Sequence, residues 1–180
     1  MHRKKLLDLL EKYNPIDAVE HTMRNETIEF VKNNADCFER ELLVGHVTGS
    51  AWIIDKSRKY ILLIHHRKLN RWFQPGGHCD GDTDVLNVAT KEANEETGLL
   101  DIQVLSPEIF DVDVHEIPAR KDIPAHFHYD IRFLFEADKN EQLIISDESN
   151  DLDWVELSKL AEYNNSESIM RMGRKTGTIT

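Results

Sequence analysis

Residues 91–100, KEANEETGLL, decide how this chain is read. The stretch closes a helical pattern that begins near Asp84. Gly98 stops it, because a glycine after the last periodic residue fits the left-handed position that ends many helices, with Leu99 as its apolar contact. At about 100° per residue, Val85, Ala89, Glu92 and Glu96 share one stripe and Glu95 lies beside it. The front of the stripe is apolar and suits a core; its back turns three carboxylates toward the same side. That is a poor place for them. The C-terminal turn already carries partial negative charge, and Glu92 with Glu96 is a like-charged i,i+4 pair, each effect costing about a few tenths of a kcal/mol. Lys91 reaches Glu95, but one lysine does not neutralise three acids. An oxygen-preferring dication, Mg²⁺ or Mn²⁺, would turn the repulsion into coordination and supply a positive charge for phosphates. Taken alone, EANEE is more often a solvated helix end, so its surroundings must decide.

Those surroundings are residues 75–99, PGGHCDGDTDVLNVATKEANEETGL. Here the chain resembles the Nudix hydrolases, whose box is written G-x5-E-x7-R-E-U-x-E-E-x-G-U, with U aliphatic. Counted from Gly77, the chain matches at Glu92, Glu95, Glu96, Gly98 and Leu99, with Ala93 as a small stand-in for the aliphatic residue. Two positions depart. Lys91 stands for the arginine, a point charge in place of a planar two-pronged donor. Thr83 stands for the early glutamate, with Asp82 and Asp84 on either side. The resemblance runs from about Leu43 to Leu160 and includes the acidic-then-Trp segment SDESNDLDWVEL; the first 40 residues lie outside it.

The resemblance implies an α/β fold, an α/β/α sandwich with a mixed β-sheet, here preceded by an N-terminal helical segment. It implies a pyrophosphohydrolase that uses a divalent metal to cleave the diphosphate linkage of a nucleoside diphosphate derivative by water attack at phosphorus. Mg²⁺ or Mn²⁺ would be held by Glu92, Glu95 and Glu96 with the Gly77 carbonyl. Glu95, or Glu92, would serve as base, and Lys91 would orient a carboxylate.

Composition sets the outer limits. The 180 residues allow one domain with some decoration, and 40% apolar with 31% charged residues suits a folded globular chain. With 22 Lys+Arg against 33 Asp+Glu, the net charge of −11 argues against a nucleic-acid polymer or an anionic membrane as partner. Two cysteines build no disulfide framework, no apolar run approaches a membrane span, and the N-terminus lacks a signal-peptide core, so we expect a cytoplasmic protein.

Two helical patterns, around Leu6–Tyr13 and Ile16–Val31, precede a hairpin made of LLVGHVTGSAWIID and KYILLIHH joined by a polar turn. WFQPGGHCDGD reads as a loop. Strands are expected at DIQVLS, IFDVDVHEI, HFHYDIRFLFEA and LDWVEL, with a short helix from Ser158. The division that follows is residues 1–40 as a helical extension packed on the domain, 41–172 as the hydrolase domain and 173–180 as a flexible tail. The N-terminal helices have two open roles, a cap over the site or a homodimer surface.

Outside the box, Arg67 and Arg71 form a cationic loop that offers phosphate or ribose contacts, weighed against a solvated loop. His126 and His128 alternate onto one strand face with Asp130, and His115 lies on the strand before; they are candidates for substrate contact, or else packed sheet histidines. Three imidazoles also admit a transition metal, so a cupin-like β-barrel is the alternative from another class, and a non-catalytic nucleotide-sensing module is the alternative within the same fold. Trp72 and Phe73 offer base stacking or edge packing. Cys79 reads as an incidental thiol. Glu108, Asp111, Asp113, Glu116 and Glu148 are candidate further acids, most of them expected at the surface.

Overall fold

The computed structural model describes residues 2–120 and 123–179. Helices α1 (Lys4–Lys12) and α2 (Ala18–Asn33) come first, then β1 (Gly45–Asp55), β2 (Tyr60–His66), β3 (Arg71–Phe73) and β4 (Gly76–His78). After α3 (Val85–Thr97) come β5 (Gln103–Val104), β6 (Asp111–Ile117), β7 (His126–Ala137), β8 (Ser149–Glu156), α4 (Leu160–Tyr163) and α5 (Glu167–Thr176). The strands pair in the order β3-β2-β1-β7-β5, with β4 on β1, β6 on β7 and β8 on β2. The fold is therefore α/β, a mixed sheet with helices and an N-terminal helical pair, as expected, and not the cupin-like barrel. Among the described residues no helix is long and apolar enough to cross a membrane.

The chain forms two compact units, each drawn from several stretches. The first takes the residues up to Ser50, Gly77–Ala89 and Pro107–Phe133. In it α1 buries Leu6, Leu7 and Leu10 on one face. Asp17 caps α2 by accepting from the Glu20 N–H at 2.8 Å, while the buried Glu20 carboxylate accepts from Ile16 N–H at 2.8 Å and from the Tyr13 hydroxyl. This reciprocal arrangement, close to a capping box, satisfies the free donors of the first turn. Phe30 of α2 stacks on Tyr129 of β7, with centroids 3.9 Å apart.

Strands β6 and β7 run antiparallel, with Asp111 opposite Arg132 and His115 opposite His128. Arg132 is buried and donates to Asp130 at 2.8 Å and to Asp111 at 3.0 Å, with Asp113 at 3.3 Å. Burial disfavours its charge, but Asp113, Asp130 and Asp111 outweigh that and hold the guanidinium ionised. Of the five candidate further acids, Asp111 and Asp113 are thus buried ones. Asp130 accepts further bonds from Thr48 Oγ1 at 3.0 Å and Ser50 Oγ at 2.8 Å, which makes it an internal tie rather than a free acid.

The second unit takes Ala51–Gly76, Thr90–Ser106 and the chain from Leu134 onward. The β1–β2 hairpin forms as read, with Ile54 opposite Ile61. Asp55 organises its turn: burial alone would raise its pKa, but bonds from Ser57, Tyr60 N–H and Lys59 N–H lower it. Strand β2 pairs along its length with β8, and its end pairs with β3, so Ile61, Leu62 and Leu63 are fully buried. This buried position explains the unbroken apolar run YILLI. Short β3 and β4 lie where the sequence reads as loop. They are three residues each, too short for a period to declare itself.

Helix α5 is a second departure. Gly173–Thr176 belong to it and not to a tail: Ile169, Met172 and Thr176 are buried, and Trp52 Nε1 donates to Thr176 Oγ1 at 2.7 Å.

Candidate active site

Helix α3 carries the acids. At its start, Asp84 accepts from the Val88 N–H through its carbonyl at 3.1 Å and pairs with Lys5 at 2.6 Å. Asp82 accepts from Asp84 N–H at 2.9 Å and from Asn87 Nδ2 at 2.8 Å. The two acids beside Thr83 therefore build the entry to the helix. At its end, Gly98 has φ +72°, the left-handed value expected, and Leu99 is fully buried. The Ile144 N–H bonds to the Thr97 carbonyl at 2.8 Å, and a Cβ on Gly98 would stand 2.5 Å from Ile144 Cβ. Only glycine fits both the backbone angle and the space.

Between these ends the three glutamates differ in environment. Glu95 is exposed, Glu92 half-buried and Glu96 buried, at 8% exposure. Glu96 accepts from the Gly76 N–H at 2.8 Å. Burial pushes its pKa up to about 7; the Gly76 bond opposes this, and the neighbouring Glu92, Glu148 and Glu95 add to it. Glu148, one of the candidates outside the box, therefore belongs to this acidic group. Lys91 Nζ lies 3.9 Å from Glu95 Oε1, and both side chains are more than half exposed. This is the loose, point-charge contact expected where a forked arginine would otherwise sit. Gly77 follows Gly76 in β4.

The cationic loop is more ordered than a solvated one. Arg67 Nη2 donates to the Ser149 carbonyl at 3.1 Å, and its backbone N–H to Glu148 at 2.9 Å. Arg71 reaches Asn164 Oδ1 at 3.5 Å and lies 5.8 Å from the Phe73 ring centre. Trp72 stacks on His65 at 5.1 Å and meets Tyr163 edge-on, so it serves edge packing. An acidic cluster of this kind, deepest at Glu96, can bind an oxygen-seeking dication, and the outermost carboxylate can take a proton from water.

The first unit holds a different cluster. His126 and His128 lie together, 5.4 Å between ring centres, and His115 is 5.5 Å from His128. Two further histidines join them that sequence reasoning did not group: His46 is 4.8 Å from His128 and 5.0 Å from His78. His46 and His78 come from β1 and β4, and no local spacing links them to β7; strand pairing alone brings them there. Cys37 and Cys79 are free and buried. Burial raises the Cys37 thiol to about 11 and the Cys79 thiol further still, so neither is a nucleophile at neutral pH, which matches the incidental reading of Cys79.

Residues 45–172 match the family model described as the NUDIX domain. Among solved structures, the chain is similar to an Ap4A hydrolase from C. elegans in a binary complex, at 18% identity, covering 73% of this chain and 94% of that one with a TM-score of 0.59. It is similar to the E. coli dihydroneopterin triphosphate pyrophosphohydrolase at 15% identity, with 72% and 92% covered and a TM-score of 0.56. The Nudix hydrolase RenU from M. smegmatis is 20% identical, with 76% and 89% covered and a TM-score of 0.55. At these identities the likeness speaks to the fold. A search of curated protein sequences finds no match.

Proposed function

Because this chain belongs to the Nudix family of pyrophosphohydrolases, we propose that it hydrolyses the diphosphate linkage of a nucleoside diphosphate derivative at a Mg²⁺ or Mn²⁺ site held by Glu92, Glu95 and Glu96. One observation carries the reading: a helix places a carboxylate, Glu96, in a buried position next to two more, with its pKa raised to about 7. Acids perturbed by burial and by like-charged neighbours cluster at functional sites. The donor set fits a hard dication, since all three glutamates offer carboxylate oxygens. Such an ion, when bound, clamps phosphate oxygens and makes a bound water more acidic.

The chain's own residues do the rest. Glu96, held by the Gly76 N–H, is oriented before any ligand arrives. Glu95, the exposed member, is the proposed base that takes the proton from the attacking water, and Glu92 is its alternate. Lys91 restrains Glu95 loosely. Arg67 and Arg71 are the proposed phosphate contacts, already anchored at Ser149 and Asn164. His126 and His128 lie in a cluster with a chemistry of its own. A cytoplasmic location is part of the same reading, supported by two free thiols, the usual state in a reducing compartment.

The test is a substrate panel of ADP-ribose, dinucleoside polyphosphates, nucleotide sugars, coenzyme A and oxidised nucleoside triphosphates, with Mg²⁺ or Mn²⁺ and products read by mass. Glu95→Gln and Glu96→Gln should each lower turnover by about a hundredfold or more. Turnover unchanged in both variants overturns the reading. Tight binding by calorimetry with no turnover across the panel would make the chain a nucleotide sensor instead.

A further inference from the structure

The histidine cluster of the first unit has a feature the hydrolase reading does not use. His46 follows Gly45, whose φ is +148° and whose missing Cβ would stand 2.5 Å from the Phe127 carbonyl oxygen. That close approach sets His46 of β1 against the histidines on either side of Phe127. Ring centres lie 5.1 Å apart for His46 and His126, and 5.1 Å for His78 and His128. One potential ligand atom from each of His46, His78 and His128 falls within 4.8 Å of the others. His46 is 3% exposed, yet among the described residues neither of its ring nitrogens has a hydrogen-bond partner, and neither does the buried Nε2 of His128. An unsatisfied buried polar group costs about 1–3 kcal/mol, so three such nitrogens in one place require an explanation.

Protonation does not supply it. Burial, and then the neighbouring histidines, disfavour the charged form of both His46 and His128. His126 is occupied differently: its Nδ1 donates to the Pro124 carbonyl at 2.9 Å. His115 donates through Nδ1 to Asp113 at 3.0 Å. His46, His78 and His128 converge.

We propose that His46, His78 and His128 form a site for one borderline divalent transition ion of the zinc class, with the fourth coordination position open to water or an anion. An all-imidazole donor set suits such an ion and not Mg²⁺, which wants oxygen. The spacing is within reach. A tetrahedral Zn²⁺ site with Zn–N near 2.0–2.1 Å needs nitrogens about 3.3 Å apart, so each ring closes by at most about 1.5 Å, a small side-chain rotation. The inference does not depend on the pyrophosphohydrolase reading, because it concerns other residues and another class of ion.

The full chain, stripped by chelator and kept in excess Mg²⁺ to occupy oxygen sites, is titrated with Co²⁺ as a spectroscopic substitute for Zn²⁺. One equivalent should bind with the intense visible bands of a low-coordinate cobalt–imidazole centre, and Zn²⁺ should displace it. His78→Ala, a half-exposed position, and His128→Ala should weaken Co²⁺ binding by more than about a hundredfold, beyond what losing an outer-shell partner costs. Glu95→Gln and Glu96→Gln should keep the bands. Far-UV circular dichroism checks the fold of each variant. Imidazole NMR on the unaltered protein gives a readout free of mutation: the His46, His78 and His128 signals should shift together on Zn²⁺ addition. Bands that survive both histidine variants, bands lost in the glutamate variants alone, or a wild-type chain that takes up no Co²⁺ would overturn the proposal.

Discussion

At the scale of single residues, the acidic helix end separates roles by burial. Glu96 is the anchored member of the proposed ligand set and Glu95 the exposed one, with Lys91 its loose ion-pair neighbour. Replacing Lys91 with Arg should tighten the contact with Glu95 from a 3.9 Å point-charge pair to a forked one. Worth about 0.5 kcal/mol, it should raise kcat by about two- to threefold with little change in KM, measured by steady-state kinetics on whichever substrate the panel identifies. A lower kcat in Lys91→Arg would show that the looseness serves the reaction. The glutamates were legible in the sequence because helical spacing places them together within five residues. The histidine cluster was only half legible: His126 and His128 alternate on one strand, but His46 and His78 join them through pairing of distant strands. The burial of Asp111 and Asp113 is not legible for the same reason, since their partner Arg132 sits across a strand pair that the sequence does not declare.

At the scale of elements, two termini carry most of the information. Gly98→Ala should destabilise the protein by about 1–3 kcal/mol, because the residue holds a left-handed angle and its new Cβ would overlap Ile144 Cβ. Urea unfolding checks this, and a change below about 0.5 kcal/mol would mean that Ile144 yields freely. The stop at Gly98 was readable from local chemistry alone. The end of α5 was not. GRKTG has the composition of a frayed segment, and only the tertiary partner shows that Thr176 is interior. Thr176→Val keeps the shape but leaves the buried Trp52 N–H without its acceptor, so it should cost about 1–3 kcal/mol in the same assay. Strands β3 and β4 escaped the sequence for a different reason: at three residues each they are shorter than the period that identifies a strand.

At the scale of the whole molecule, the buried acid and the buried histidines act on stability in opposite directions as pH falls. His46 and His128 have folded pKa values below the ordinary 6.5, so acidification below 6.5 protonates the unfolded chain first and stability is lost toward about 4. Glu96 has a folded pKa raised from 4.5 to about 7, so the folded chain takes up a proton first, and stability is gained as pH falls through that window. The two histidines outweigh the single acid between about 4.5 and 6.5. In chelator, the unfolding free energy should therefore fall on going from pH 6.5 to 5, and fall more steeply in Glu96→Gln, where the opposing contribution is gone. Parallel slopes for the two proteins in urea titrations at each pH would contradict the assignment of Glu96. The arrangement of the termini has a practical consequence too. Since the indole of Trp52 is sealed from water and hydrogen-bonded to the last turn of α5, its fluorescence emission, isolated by replacing Trp72 and Trp154 with Phe, is a gauge of that helix peeling away: a shift to longer wavelength ahead of the main thermal transition would report C-terminal detachment.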